Sequence, residues 1–134
     1  MDPGELLRRL SSKLRSEVGP AVADEYTRTQ AFMASVILGR LARQVSLAPA
    51  HAEAERADLD RLHPALEAVL AGAPPAVVEA LAEARTARTV DALGPLIEEL
   101  YRWGIDADPS AARALDRIRP VLRADIDRRM EIAS

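Results

Sequence analysis

The sequence predicts an all-α fold, a helical bundle of four main helices plus one or two short helices in a single domain over residues 1–134. Three observations carry this expectation. Apolar residues make up 49% of the chain but aromatic residues only 3%, so the core must be built from Leu, Ile, Val and many alanines, which suit close helix packing better than sheets. Those apolar residues recur three and four apart, and no segment alternates as a strand would. Gly and Pro punctuate the chain at spacings that leave helix-length segments between them.

Asp2-Pro3-Gly4-Glu5 reads as a helix entrance, with Asp2 as cap and Pro3 in the first turn. Leu6, Leu7, Leu10, Leu14 and Val18 follow at helical spacing, and Gly19-Pro20 should end or bend this helix. A second helix is expected from Asp24 to about Ser46. Its centre, Ala31 to Leu38, is apolar in every direction around the axis, the pattern of a helix surrounded by others. Leu47-Ala48-Pro49 is expected to end it and begin a third. That third helix has a one-sided stripe of Leu59, Leu62, Leu66, Val69 and Leu70 and stops at Gly72 before Ala73-Pro74-Pro75.

Val77, Val78 and Leu81 mark a shorter fourth helix, and Leu96, Ile97, Leu100 and Tyr101 a fifth that ends at Gly104. The stretch from Arg85 to Gly94 supports no firm element. Asp108-Pro109-Ser110 caps a last helix carrying Leu115, Ile118, Leu122, Ile126 and Met130, with a bend expected at Pro120.

A net charge of -3 and a pI near 5.4 supply no global attraction to nucleic acid or to an anionic membrane, and neither is expected as a partner. Lys13 is the only lysine, so the positive charge is arginine, as a GC-rich genome or bidentate anion binding would give. Absence of cysteine excludes disulfides, thiol nucleophiles and cysteine metal sites. Asp2, Glu5 and Arg8 interrupt any apolar leader, and the uncharged run from Thr29 to Gly39 is short of the roughly 20 residues of a membrane span, so a cytoplasmic location is expected.

No phosphate loop, dinucleotide glycine pattern or nucleophile elbow is present, so no cofactor and no catalysis by the chain alone are expected. His51 with Glu55, and Asp60 with His63, have the spacing of metal ligands on one helix face. They supply only half of a di-metal set and read as solvated charges. Glu98-Glu99, and Asp125 with Asp127, are too close in sequence to face each other across a helix. Arg113, Arg117, Arg119, Arg123, Arg128 and Arg129 are interleaved with Asp116, Asp125, Asp127 and Glu131, a mixed solvated face. Trp103 and Tyr101 could serve as core packing or as an interface anchor.

The second helix holds the better clue. Tyr26, Met33 and Ile37 fall close together on a helical wheel, and Thr29, Gln30, Arg40 and Gln44 lie on or beside that stripe. Buried without partners, such groups cost roughly 1–3 kcal/mol each. Either an internal network with Asp24, Glu25 or other helices satisfies them, or the stripe meets a second protein.

The order of these features resembles a family of small helical bacterial proteins known as a domain of unknown function. That family includes accessory subunits of aminoglycoside-phosphotransferase-like kinases in levulinate and other 4-hydroxy acid catabolism. The likeness lies in the Leu6-Leu7 opening, the aromatic-led helix Tyr26 to Val45 with Arg43-Gln44-Val45, then Leu47-Ala48-Pro49, Ala54-Glu55 with Leu59 and Leu62, and the closing stretch Leu122 to Ile132. The Pro-rich middle, Ala73 to Pro95, departs from it.

The resemblance implies a non-catalytic accessory subunit of an ATP-dependent hydroxyacyl-CoA kinase, with an acyl-CoA-dehydrogenase-like enzyme acting next. The partner would be the kinase subunit, met through an interface of Tyr26, Arg28, Thr29, Gln30, Arg40 and Gln44. Two other readings are a homodimeric helical scaffold using the same stripe and a small acyl-CoA-binding bundle with arginines at the mouth of an apolar cavity.

Overall fold

The computed structural model describes all 134 residues and is all-α. Helix α1 covers Pro3–Lys13 and runs through a widened turn, Leu14–Val18, into the short α2, Gly19–Ala21. Next come α3, Glu25–Val69, α4, Pro75–Ala87, α5, Leu93–Trp103, and α6, Pro109–Ala133. Contacts within the chain group into two compact units, Met1–His51 with Met130–Ser134, and Ala52–Arg129.

Local chemistry sets most helix ends. The Glu5 amide donates to Asp2 Oδ1 at 3.1 Å, the Thr27 amide to Asp24 Oδ2 at 2.9 Å and the Ser110 amide to Asp108 Oδ1 at 2.8 Å, so all three starts are carboxylate-capped. Gly104 ends α5 at φ 102°, a conformation that favours glycine. Arg88 ends α4 in the left-handed region, and the ambiguous stretch after it is a turn leading into α5.

The break expected at Leu47-Ala48-Pro49 is absent, because α3 runs unbroken through Pro49 and Pro64 for 45 residues. A helix-interior proline removes one hydrogen bond and costs about 3 kcal/mol. Around Pro49 the strong helix formers Ala48, Ala50, Ala52 and Ala54 hold the helix on both sides. Helix α6 likewise continues through Pro120.

The unit Ala52–Arg129 contains the hydrophobic core. Leu59, Leu62 and Leu66 of α3, with Leu70 just past its end, form its first wall, the one-sided stripe read from the sequence. Val77, Ala80, Leu81 and Ala84 of α4, Leu93, Leu96 and Leu100 of α5, and Ala111, Ala114, Leu115, Ile118 and Val121 of α6 close around them. Each large side chain buried here contributes roughly 1.5–3 kcal/mol. Trp103 packs against this core, while Tyr101 is exposed. At its edge, Arg128 bridges to Asp58 at 3.1 Å, Arg129 joins Asp125 and Asp91 at 2.9 Å each, and the Val90 amide donates to Glu55 at 2.8 Å.

The other unit pairs α1 antiparallel with the first half of α3, and its contact is built from small residues. A Cβ at Gly4 would stand 2.5 Å from Ser46 Oγ, and one at Gly39 3.4 Å from Ser11 Oγ. The Ser11 hydroxyl donates to the Ser35 carbonyl at 2.6 Å, and Ser35 and Ala42 are fully buried. At the far end Gly19 lies against the Phe32 ring. Absence of bulk at these positions lets the two backbones approach closely enough for a hydroxyl to reach a main-chain oxygen.

Candidate functional site

Large apolar side chains of the α1–α3 pair lie outside its seam. Residues Ser35, Gly39, Ala42 and Ser46 recur at helical spacing and define the side of α3 that faces α1. Half a helical turn away, Tyr26, Met33 and Ile37 are 71%, 59% and 56% exposed. Phe32, Val36, Leu41 and Val45 are exposed along the flanks, as are Leu6, Leu10 and Val18 on α1. This overturns the expectation that Ala31 to Leu38 is a helix surrounded by others. Of those eight residues only Ser35 is buried, because α3 offers its small residues to its neighbour and its large ones to solvent.

The six polar positions separate by face. Gln30, Arg40 and Gln44 are exposed and share the outer stripe with Tyr26, Met33 and Ile37. Gln30 Nε2 donates to Tyr26 Oη at 3.0 Å, one turn along the same face. Thr29, at the edge of the stripe, is exposed and donates its hydroxyl to the Glu25 carbonyl at 3.0 Å. Arg28 is half-buried on the opposite side and donates through Nε and Nη2 to the Val22 carbonyl, at 3.2 and 3.0 Å, tying α3 to the loop before it. Of the two readings of Thr29, Gln30, Arg40 and Gln44, the buried network with other helices is therefore removed, and within this chain solvent meets the needs that burial would have imposed.

From Tyr26 to Ala52 the sequence contains no Asp or Glu. Over one 18-residue window of mean hydropathy 1.2, of which 11% is buried, α3 is long and apolar enough to cross a membrane by length and composition. The expectation from the uncharged run alone was narrower, since such a window tolerates an occasional arginine. Here Arg40 lies on the exposed stripe itself, so this face is apolar but not purely so.

A second concave region lies within the unit Ala52–Arg129, a cleft of about 550 Å³ between α3 and α4. Arg85 is paired with Glu67, and Arg88 with Asp60 at 3.3 Å, so its charges cancel in place. His63 between them has a buried Nε2 with no hydrogen-bond partner. Burial, reinforced by the Arg85 charge, pushes the His63 pKa below the usual imidazole value and favours the neutral ring. This is a charge-balanced surface of α3 and α4 with one ring nitrogen held dry.

Of the two spacings that suggested metal ligands, Asp60 and His63 share the cleft just described, while His51 and Glu55 part. His51 Nε2 lies 3.2 Å from Glu131 Oε2, while Glu55 accepts from the Val90 amide. No three His, Asp or Glu side chains gather as a metal site would require. The feature that sequence reasoning missed is the pair of exposed leucines on α1, Leu6 and Leu10, which the helical pattern assigned to packing. Both sit a quarter-turn or more from Ser11, the residue facing α3, and counting turns from that serine would have found them. Comparison with protein-family models, with curated proteins and with solved structures finds no match.

Proposed function

We propose that this chain is a non-catalytic accessory subunit of an ATP-dependent hydroxyacyl-CoA kinase, and that it binds the kinase through the leucine-rich flank of its N-terminal helix pair. The observation that carries the reading is the uncovered aliphatic surface on a helix pair whose own seam is small and complete. Leu6 and Leu10 of α1 and Leu41 and Val45 of α3 are all exposed, and Leu7, Leu14 and Leu38 are half-buried, on two helices whose register sets Gly4 beside Ser46 and Ser11 beside Ser35 and Gly39. Contiguous exposed apolar patches of this kind mark protein contacts. The kinase identity of the partner comes from the family resemblance carried by Tyr26 to Val45 and its neighbours.

The test is co-expression with an aminoglycoside-phosphotransferase-like kinase encoded beside the gene. The two chains are expected to purify together, and the double variant Leu10→Asp/Leu41→Asp should weaken the complex by about 30-fold or more, the scale of losing a well-packed anchor. Its far-ultraviolet circular dichroism should stay helical. A kinase that is fully active alone and never retains this chain refutes the proposal.

A further inference from the structure

We propose that the outer stripe of α3 is the contact of a symmetric homodimer, in which α3 meets α3 of a second copy antiparallel, with the two-fold axis at the level of Ser35. Tyr26, Gln30, Met33, Ile37, Arg40 and Gln44 are spaced alternately four and three apart, the heptad seam of a coiled coil. All six are exposed on the side of α3 that faces away from α1. The stripe covers about 28 Å of helix at 1.5 Å per residue.

Its order is self-complementary. An antiparallel seam sets the Gln30, Ile37, Gln44 series of one helix against the Tyr26, Met33, Arg40 series of the other. With the axis level with Ser35, Met33 meets Ile37, Gln30 meets Arg40, and Tyr26 meets Gln44 of the second copy. Each kind of layer occurs twice, as an isologous contact demands. The apolar layers fall at the centre and the polar layers at both ends.

Hydrogen bonding agrees layer by layer. Gln30 already gives one N–H of its amide to Tyr26 Oη at 3.0 Å, and its carbonyl oxygen is an acceptor for the Arg40 guanidinium of the second copy. Tyr26, accepting at its oxygen, keeps its O–H to donate to Gln44. Beside the seam Val36 falls next to Val36 and Ala34 next to Ala34, so no like charges meet.

A parallel pair in register would stack Arg40 on Arg40, with no carboxylate between Tyr26 and Ala52 to separate them. A bilayer would leave Arg40 and Gln44 without partners. Set antiparallel on itself, the stripe places apolar side chains on apolar ones and polar on polar, a match that a second copy supplies.

The contact is separate from the leucine flank proposed for the kinase, so either assignment can fail alone. Mass in solution is the first measurement. The full chain is expected at twice its 14.5 kDa mass at micromolar concentration, and Met33→Asp/Ile37→Asp at the monomer mass, with the dimer's dissociation constant raised at least 100-fold and helical content kept.

Cysteine cross-linking tests register independently, because the chain has no cysteine of its own. A mixture of Tyr26→Cys and Gln44→Cys chains should oxidise to a covalent dimer, while neither variant should do so alone. Tyr26→Cys chains that cross-link with themselves show a parallel pair and overturn the proposal. So does a wild-type chain that stays monomeric, whether its stripe variants then lose the kinase or the chain floats with phospholipid vesicles.

Discussion

The two halves of α3 are one helix with opposite solutions to the same problem. From Leu59 to Leu70 its large side chains turn inward and its charged residues outward, so this half is held by burial. From Tyr26 to Val45 small residues turn inward, and the large ones remain in water. Abundance of leucine, isoleucine and methionine therefore does not identify a core. Burial depends on which residues stand at the positions facing a neighbour, and in the first half those are Ser35, Gly39, Ala42 and Ser46.

Substitutions should expose that contrast, and the largest effect belongs to the buried half. Leu66→Ala, at a fully buried position, is expected to cost about 2–5 kcal/mol through lost transfer energy and the cavity left behind, measured by urea unfolding. In the first half, enlargement should do the harm. Ala42→Leu at the fully buried seam is expected to cost about 1–3 kcal/mol by forcing α1 off α3. Hydrogen exchange should then quicken in Leu7 to Leu14 and stay slow in Leu93 to Leu100. If exchange quickens equally in both, the two units do not unfold separately and the comparison fails.

The smallest expected effect is one of pH. His63 has a folded pKa below its unfolded one, so its contribution to stability is present above about 6.5, the ordinary imidazole value, and is lost as pH falls towards the lowered value. Thermal unfolding from pH 7 downward should show that loss, and His63→Gln should flatten it. Asp24 repeats the sign at lower pH. Its hydrogen bonds from the Thr27 hydroxyl and amide hold its carboxyl below the usual range, so the start of α3 should loosen as that group protonates.

Much of the fold was legible in local chemistry. Asp2, Asp24 and Asp108 cap where their spacing to the next helix said they would, and Gly72 and Gly104 lie where helices end. The Leu59–Leu70 stripe identified the packed face because its charged residues all lay on the other side. Pro49 misled because a proline costs a helix one hydrogen bond without ending it here, as Pro64 and Pro120 also show.

The candidate interface was half legible. Tyr26, Gln30, Arg40 and Gln44 were grouped correctly by helical spacing, but spacing cannot say whether a stripe faces inward or outward. Arg28 lies on the other side, where it holds the Val22 carbonyl, a contact set by a loop that no periodicity describes.

Exposed aliphatic surface on the α1–α3 pair has a consequence for the cell. A rod that shows this much grease while waiting for its cover is the kind of target that chaperones hold and proteases clear. Abundance of this protein would then depend on how much of that surface is covered, and uncovered copies would be short-lived.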